Sequence, residues 1–149
     1  MEIKIEVASI RLLNKLCEIE EQCFDQEAFT KRQIAYLLTD YNTIALVAKA
    51  NGDVAGFIVV QIEIENNTLY GHIITINVAP IYRRKGIASR MLKETEDILK
   101  QKGITECHLE VREDNTTALK LYQNSRYQKI SRLEKYYGKK HGLYLKKTL

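Results

Sequence analysis

Tryptophan is absent from the 149 residues, and proline occurs once, at Pro80. So little proline excludes polyproline and collagen-like chains and leaves long elements unbroken. Cysteine is scarce too: Cys17, Cys23 and Cys107 form no CxxC pair and no Cys/His set at zinc-finger spacing. Neither a disulfide framework nor a structural zinc site is expected. No apolar run approaches the roughly 18 residues of a membrane span, and MEIKIEVASI lacks the apolar core of a secretory signal. The thiols are therefore expected to be reduced, and the protein soluble and cytoplasmic with no membrane role. GxxxxGK[ST] and GxGxxG are both missing, which excludes the P-loop and dinucleotide fingerprints. There is no internal repeat and no low-complexity tract. The length suits a single domain, residues 1–149, burying about 68–70% of its unfolded surface.

Charge is present, but unevenly. Lys and Arg number 23 against 19 Asp and Glu, a net charge of +4. From Arg126 to Leu149 there are eight basic residues and one acid, Glu134. Solvated strand faces and a turn account for such a segment. A basic surface for RNA or the ribosome is the alternative, although no nucleic-acid motif accompanies it and no direct DNA role is expected.

The apolar residues define the elements. Ile3, Ile5 and Val7 alternate as in a strand, and Ser9 can cap a helix carrying Ile10, Leu13, Leu16 and Ile19. Thr30 and Gln33 stand at capping-box spacing before a second helix with the stripe Ile34, Leu37, Leu38 and Tyr41. TIALVAKA, VAGFIVVQIEIE and TLYGHIITINVA then read as three strands separated by Asn51-Gly52-Asp53 and Asn66-Asn67, an antiparallel meander. A helix follows from about Gly86 to Lys102, with apolar positions Ile87, Met91, Leu92, Ile98 and Leu99 and Gly103 at its end. The strand TECHLEVR, a short helix capped by Asp114 or Asn115, and two strands around YYGKKHG complete the order β-α-α-β-β-β-α-β-α-β-β. Strand, central helix and strand make one βαβ unit in a mostly antiparallel sheet.

Arg83, Arg84 and Lys85 crowd the positive end of the central helix, each at an expected cost of roughly 0.3–1 kcal/mol. A bound anion removes the conflict, since unpaired N–H groups, dipole and side chains then all face negative charge. Here the sequence resembles the GNAT N-acetyltransferase superfamily, whose pyrophosphate signature [Q/R]xxG-x-[G/A] is matched by Arg83-Arg84-Lys85-Gly86-Ile87-Ala88. GHIITINVAPIYRRKGIA, LEVREDNTTALKLY and YYGKKHGLYL resemble, in that order, the RimI-type and Ard-type protein N-terminal acetyltransferases. The resemblance spans most of the chain. It implies an α/β (α+β) fold with a mixed, mostly antiparallel sheet of about seven strands and flanking helices.

It also implies acetyl-CoA as cosubstrate, no metal, and direct attack in a ternary complex. The pyrophosphate would rest on N–H groups from about Arg84 to Ser89, with Ile76, Asn77 and Val78 offering backbone donors to pantetheine and acetyl oxygen. Asn115 matches the asparagine near the pantetheine, and Tyr122 the tyrosine that protonates the departing sulfur. Three residues match family bases: Glu110 of RimI-type enzymes, and His72 and Glu27 of Ard-type ones. Glu27 and Phe29, in CFDQEAFT, and the paired Tyr136 and Tyr137 would hold the first substrate residues. An α-amine, with a reference pKa near 7.7–8.0 against about 10.4 for lysine, demands less of a base.

Read from the residues alone, each has a plainer reading. Tyr122 packs in a core with Ala118, Asn115 caps a helix, Glu110 forms a surface ion pair on the face of His108 and Arg112, and His72 is semi-buried beside Tyr70, Ile74 and Ile76. Three departures from the family are visible: Ser125-Arg126-Tyr127 replaces a Gly-aromatic pair, Asn77 replaces a small residue, and Lys139-Lys140-His141-Gly142 replaces an often acidic hairpin. The basic hairpin points to peptides with acidic downstream residues. The expected function is acetylation of protein N-termini, ribosomal or broad. The alternatives are transfer to lysines or polyamines, a non-catalytic RNA- or ribosome-binding module, or an acetyl-CoA sensor.

Overall fold

Turn chemistry and two-residue alternation build most of the sheet. The computed structural model describes residues 1–149, the side chain of Asp25 apart. The meander forms as expected from β2 (Thr43–Ala50), β3 (Asp53–Glu65) and β4 (Thr68–Val78). Asn66 and Asn67, at φ +51° and +63°, make the tight turn between β3 and β4. With β1 (Ile3–Val7), β5 (Glu106–Arg112), β6 (Gln128–Tyr137) and β7 (Lys140–Thr148) they form one sheet in the order β1-β2-β3-β4-β5-β7-β6. Every neighbouring pair is antiparallel except β4 and β5. This is the expected mixed sheet of seven strands.

Four helices flank it: α1 (Leu13–Phe24), α2 (Lys31–Thr39), α3 (Ile87–Gln101) and α4 (Thr116–Asn124). Thr30 Oγ1 accepts from Gln33 N–H while Gln33 Oε1 accepts from Thr30 N–H, so the capping box starts α2. α3 buries Ile87, Met91, Leu92 and Leu99 against one sheet face, together with Tyr122 of α4. α1 and α2 bury Leu16, Ile19, Ile34 and Leu37 against Val47, Phe57 and Val59 on the other. Each fully buried side chain of this size contributes roughly 1.5–3 kcal/mol. Among the described residues no helix is long and apolar enough to cross a membrane.

Three local expectations are corrected. α2 ends at Thr39, and Tyr41, expected on its apolar stripe, is 99% exposed in the following turn. His141, expected in the hairpin between the last two strands, lies in β7, where Nδ1 accepts from Lys135 N–H at 3.0 Å. The alternation Tyr70, His72, Ile74, Ile76 breaks: Val59 pairs with Thr75 but Val60 with Ile73, so β4 carries a bulge at Ile74. Beyond it Ile76 and Val78 pack with the α3 side, while Thr75 and Asn77 turn to α1.

Half of the eight basic residues of the C-terminal segment pair with acids from other elements. Lys147 pairs with Glu96 at 2.7 Å, Arg132 with Glu113 at 2.9 Å, Lys140 with Asp114 at 3.6 Å, and Lys146 with Glu106.

Candidate active site

The one parallel pair is short. Gly71 pairs with Cys107 and His72 with His108, after which β4 and β5 separate. Beyond His72 the β4 edge facing β5 has no strand partner, and a cleft of about 1620 Å³ opens between them. Ile73–Val78 line one wall and Leu109–Arg112 the other. Single ligand pockets run to roughly 300–1,000 Å³, so this space suits two ligands meeting. Gly56 lets β3 and β4 approach beside it: a Cβ there would stand 2.3 Å from the Asn77 carbonyl oxygen.

One end of the cleft is the start of α3. Arg84 (φ +63°) and Gly86 (φ +77°) adopt left-handed backbone, and Gly86 is the N-cap. Among the described residues, none of the N–H groups from Arg84 to Ser89 has a protein acceptor. Consecutive unpaired amides at a helix start form a nest for phosphate oxygens, and a pyrophosphate fits it. The cations divide their work. Arg83 lines the cleft but is tied back to its neighbours, Nε donating to Val78 O at 3.0 Å and Nη2 to Cys23 Sγ at 3.4 Å. Arg84 lines the cleft with Gly86, Ile87, Ala88 and Ser89; Lys85 is exposed outside the lining.

Beneath β4 lies a carboxylate that sequence reasoning missed. Glu20 of α1 is 1% exposed. Its Oε1 accepts from Thr75 Oγ1 at 2.8 Å and Asn77 Nδ2 at 2.9 Å, and its Oε2 from Phe29 N–H at 3.1 Å. Burial raises its pKa against these three bonds. Glu20 thus ties the α1–α2 connection, with Phe29, to the bent strand, and the unusual Asn77 is one of its partners. A charge four residues after Leu16, inside the apolar stripe, was the signal.

Glu110, Tyr122, Asn115, Glu27, Phe29, Tyr136 and Tyr137 all line the cleft. His72 does not; it stands behind Glu110, with Nε2 2.6 Å from Glu110 Oε1 and Nδ1 2.8 Å from Glu63 Oε2. Burial pulls its pKa down, but the two carboxylates prevail and lift it to about 9. At neutral pH it is an imidazolium donating from both nitrogens, not a free base. Tyr122 is 5% exposed, packs edge-on to Tyr127 and makes no hydrogen bond among the described residues; burial raises its pKa, so the hydroxyl keeps its proton. Tyr122 thus belongs to the α3-side core and also lines the cleft.

Asn115 caps α4, Oδ1 accepting from Ala118 N–H at 3.1 Å. Glu27 is engaged by Arg112, whose Nη1 is 3.0 Å from Glu27 Oε1 while Nε and Nη2 hold Asp114 at 2.9 and 2.7 Å. Tyr136 and Tyr137 meet edge to face at 4.9 Å. Arg126, where the family resemblance leads one to expect glycine, takes the left-handed conformation at φ +71° and lies outside the lining. Among the described residues no His, Cys, Asp and Glu gather as metal ligands.

The Acetyltransferase (GNAT) family model matches residues 11–126. N-alpha-acetyltransferase 30 of Schizosaccharomyces pombe is 25% identical over 130 residues, covering 87% of this chain and 86% of its own. The N-alpha-acetyltransferase of Saccharolobus solfataricus is 32% identical over 117 residues, covering 72% and 70%. The fold matches the crystal structure of the ribosomal-protein-S18-alanine N-acetyltransferase from Escherichia coli with a TM-score of 0.88, at 20% identity over 99% of this chain and 94% of that one. The chain belongs to the acetyltransferase (GNAT) family, whose acyl donor is acetyl-CoA.

Proposed function

We propose that this protein acetylates the α-amine of protein N-termini. The observation that carries the reading is a single cleft lined both by the amide nest of α3 and by Glu110, Phe29, Tyr136 and Tyr137. Two relatives named as N-alpha-acetyltransferases support the acceptor class. Acetyl-CoA would bring an acetyl thioester whose sulfur needs a proton as it leaves. The amides from Arg84 to Ser89 hold its pyrophosphate, Arg84 adds a cation, and Asn115 borders the pantetheine.

Along the unpaired edge Ile76 and Val78 turn their N–H groups toward the acetyl oxygen, where preorganised donors act without rearrangement, while the backbone of Asn77, expected as a third donor, faces β3. Glu110, with only Oε1 committed to His72, takes up the amine proton. Tyr122, kept protonated by burial, supplies the proton to sulfur. Glu27 acts with Arg112 as one wall of the peptide groove rather than as the base. Ribosomal proteins, the acceptors of the Escherichia coli neighbour, fit the reading, and the cytoplasm is where such chains emerge.

The test is incubation with acetyl-CoA and a mixture of free N-terminal peptides, N-blocked lysine peptides and polyamines, each followed by mass. Acetylation confined to free N-termini is expected. Transfer to lysines or polyamines alone would overturn the acceptor assignment.

A further inference from the structure

Three charged groups stand in a row across the open sheet face. The β3–β4 register sets Gln61 opposite His72 and the β4–β5 register sets His108 opposite it, so Glu63 and Glu110 are its diagonal neighbours on either side. Only Glu110 reaches the cleft. The oxygens are used unequally. Both oxygens of Glu63 are occupied, Oε1 by the Tyr70 hydroxyl at 2.8 Å and Oε2 by His72 Nδ1 at 2.8 Å. Glu110 commits Oε1 to His72 Nε2, and among the described residues nothing bonds its Oε2.

We infer that Glu63 is a positioning residue of the acetyl transfer: from behind His72 it fixes the imidazole with both N–H groups donating, and so aims the free oxygen of Glu110 into the cleft. The inference rests on Glu110 being the base. Without a carboxylate at position 63, Nδ1 loses its acceptor, only Glu110 still favours the doubly protonated ring, and the imidazole is free to turn and carry Glu110 with it. The remaining groups do not replace it. Glu65 on β3, Tyr70 on β4, His108 on β5, Tyr144 on β7 and Tyr136 and Tyr137 on β6 approach the row, yet none bonds His72. His108 is held neutral by burial and bonded to Tyr144, so it adds no competing cation.

The test compares Glu63→Gln, Glu110→Gln and wild type by kcat and KM against pH, and follows His72 titration by NMR. In Glu63→Gln the expected result is a kcat lower by roughly 10- to 100-fold near pH 7, with the acetyl-CoA KM unchanged. The high-pH limb of its rate profile moves to lower pH, together with His72, which titrates below the wild-type value of about 9. Glu65→Gln, a charge loss on the same strand, should follow wild type. A Glu63→Gln enzyme whose profile and His72 titration superimpose on wild type, while Glu110→Gln is inactive, overturns the inference alone. Full activity in Glu110→Gln overturns both the inference and the assignment of the base.

Discussion

His72 sets a pH-dependent share of stability that can be measured without any substrate. Its pKa rises from 6.5 to about 9 on folding because two carboxylates, at 2.6 and 2.8 Å, outweigh the cost of burying the ring. At about 1.4 kcal/mol per pH unit this is about 3 kcal/mol. Since the folded value lies above the unfolded one, the contribution is complete below pH 6.5 and disappears as pH climbs to 9. For a chain of this length the change corresponds to roughly 6–12 °C in melting temperature. Urea unfolding of wild type and His72→Gln at pH 6 and pH 9.5 isolates it, because the difference cancels the other titrating groups. The wild-type advantage should shrink by about 3 kcal/mol over that interval. An advantage that stays constant or widens would refute the paired-imidazolium argument.

Gly56→Ala should destabilise by roughly 1–3 kcal/mol or more in urea unfolding and raise the acetyl-CoA KM, because the new Cβ meets the Asn77 carbonyl at 2.3 Å and Val78 Cα at 3.2 Å, and backbone cannot swing aside. A variant as stable as wild type would count against the close approach. Tyr122→Phe should lower kcat by roughly 10²-fold or more while leaving the melting temperature within a few degrees, since the hydroxyl makes no hydrogen bond to lose; a large stability loss with normal kcat would reverse its role.

Elements governed by local chemistry were legible in the sequence. The Thr30–Gln33 box, the asparagine turn at 66–67 and the apolar face of α3 each follow from neighbours within a few residues. So did the gathering of Glu110, Tyr122 and the twin tyrosines, although there the family motif did the work. What escaped depended on contacts far along the chain. A one-residue bulge at Ile74 leaves no mark on composition yet reverses which side chains of β4 face α1. Glu20 meets Thr75 and Asn77 across 55 and 57 positions, and Arg112 meets Glu27 across 85. The ion-pair partners of the basic C-terminal run were hidden for the same reason, because Glu96, Glu106, Glu113 and Asp114 lie outside it in sequence.

The two rungs at Gly71 and His72 divide the sheet into unequal leaves, four strands on one side and three on the other, joined like covers at a narrow spine. A pantetheine arm lying along the unpaired β4 edge would act as the missing strand between them, satisfying amides that no polypeptide reaches. The donor molecule is then part of the architecture as well as the chemistry. Amide hydrogen exchange along Ile73–Val78 should slow when CoA binds, and each release of product would loosen the spine for the next exchange.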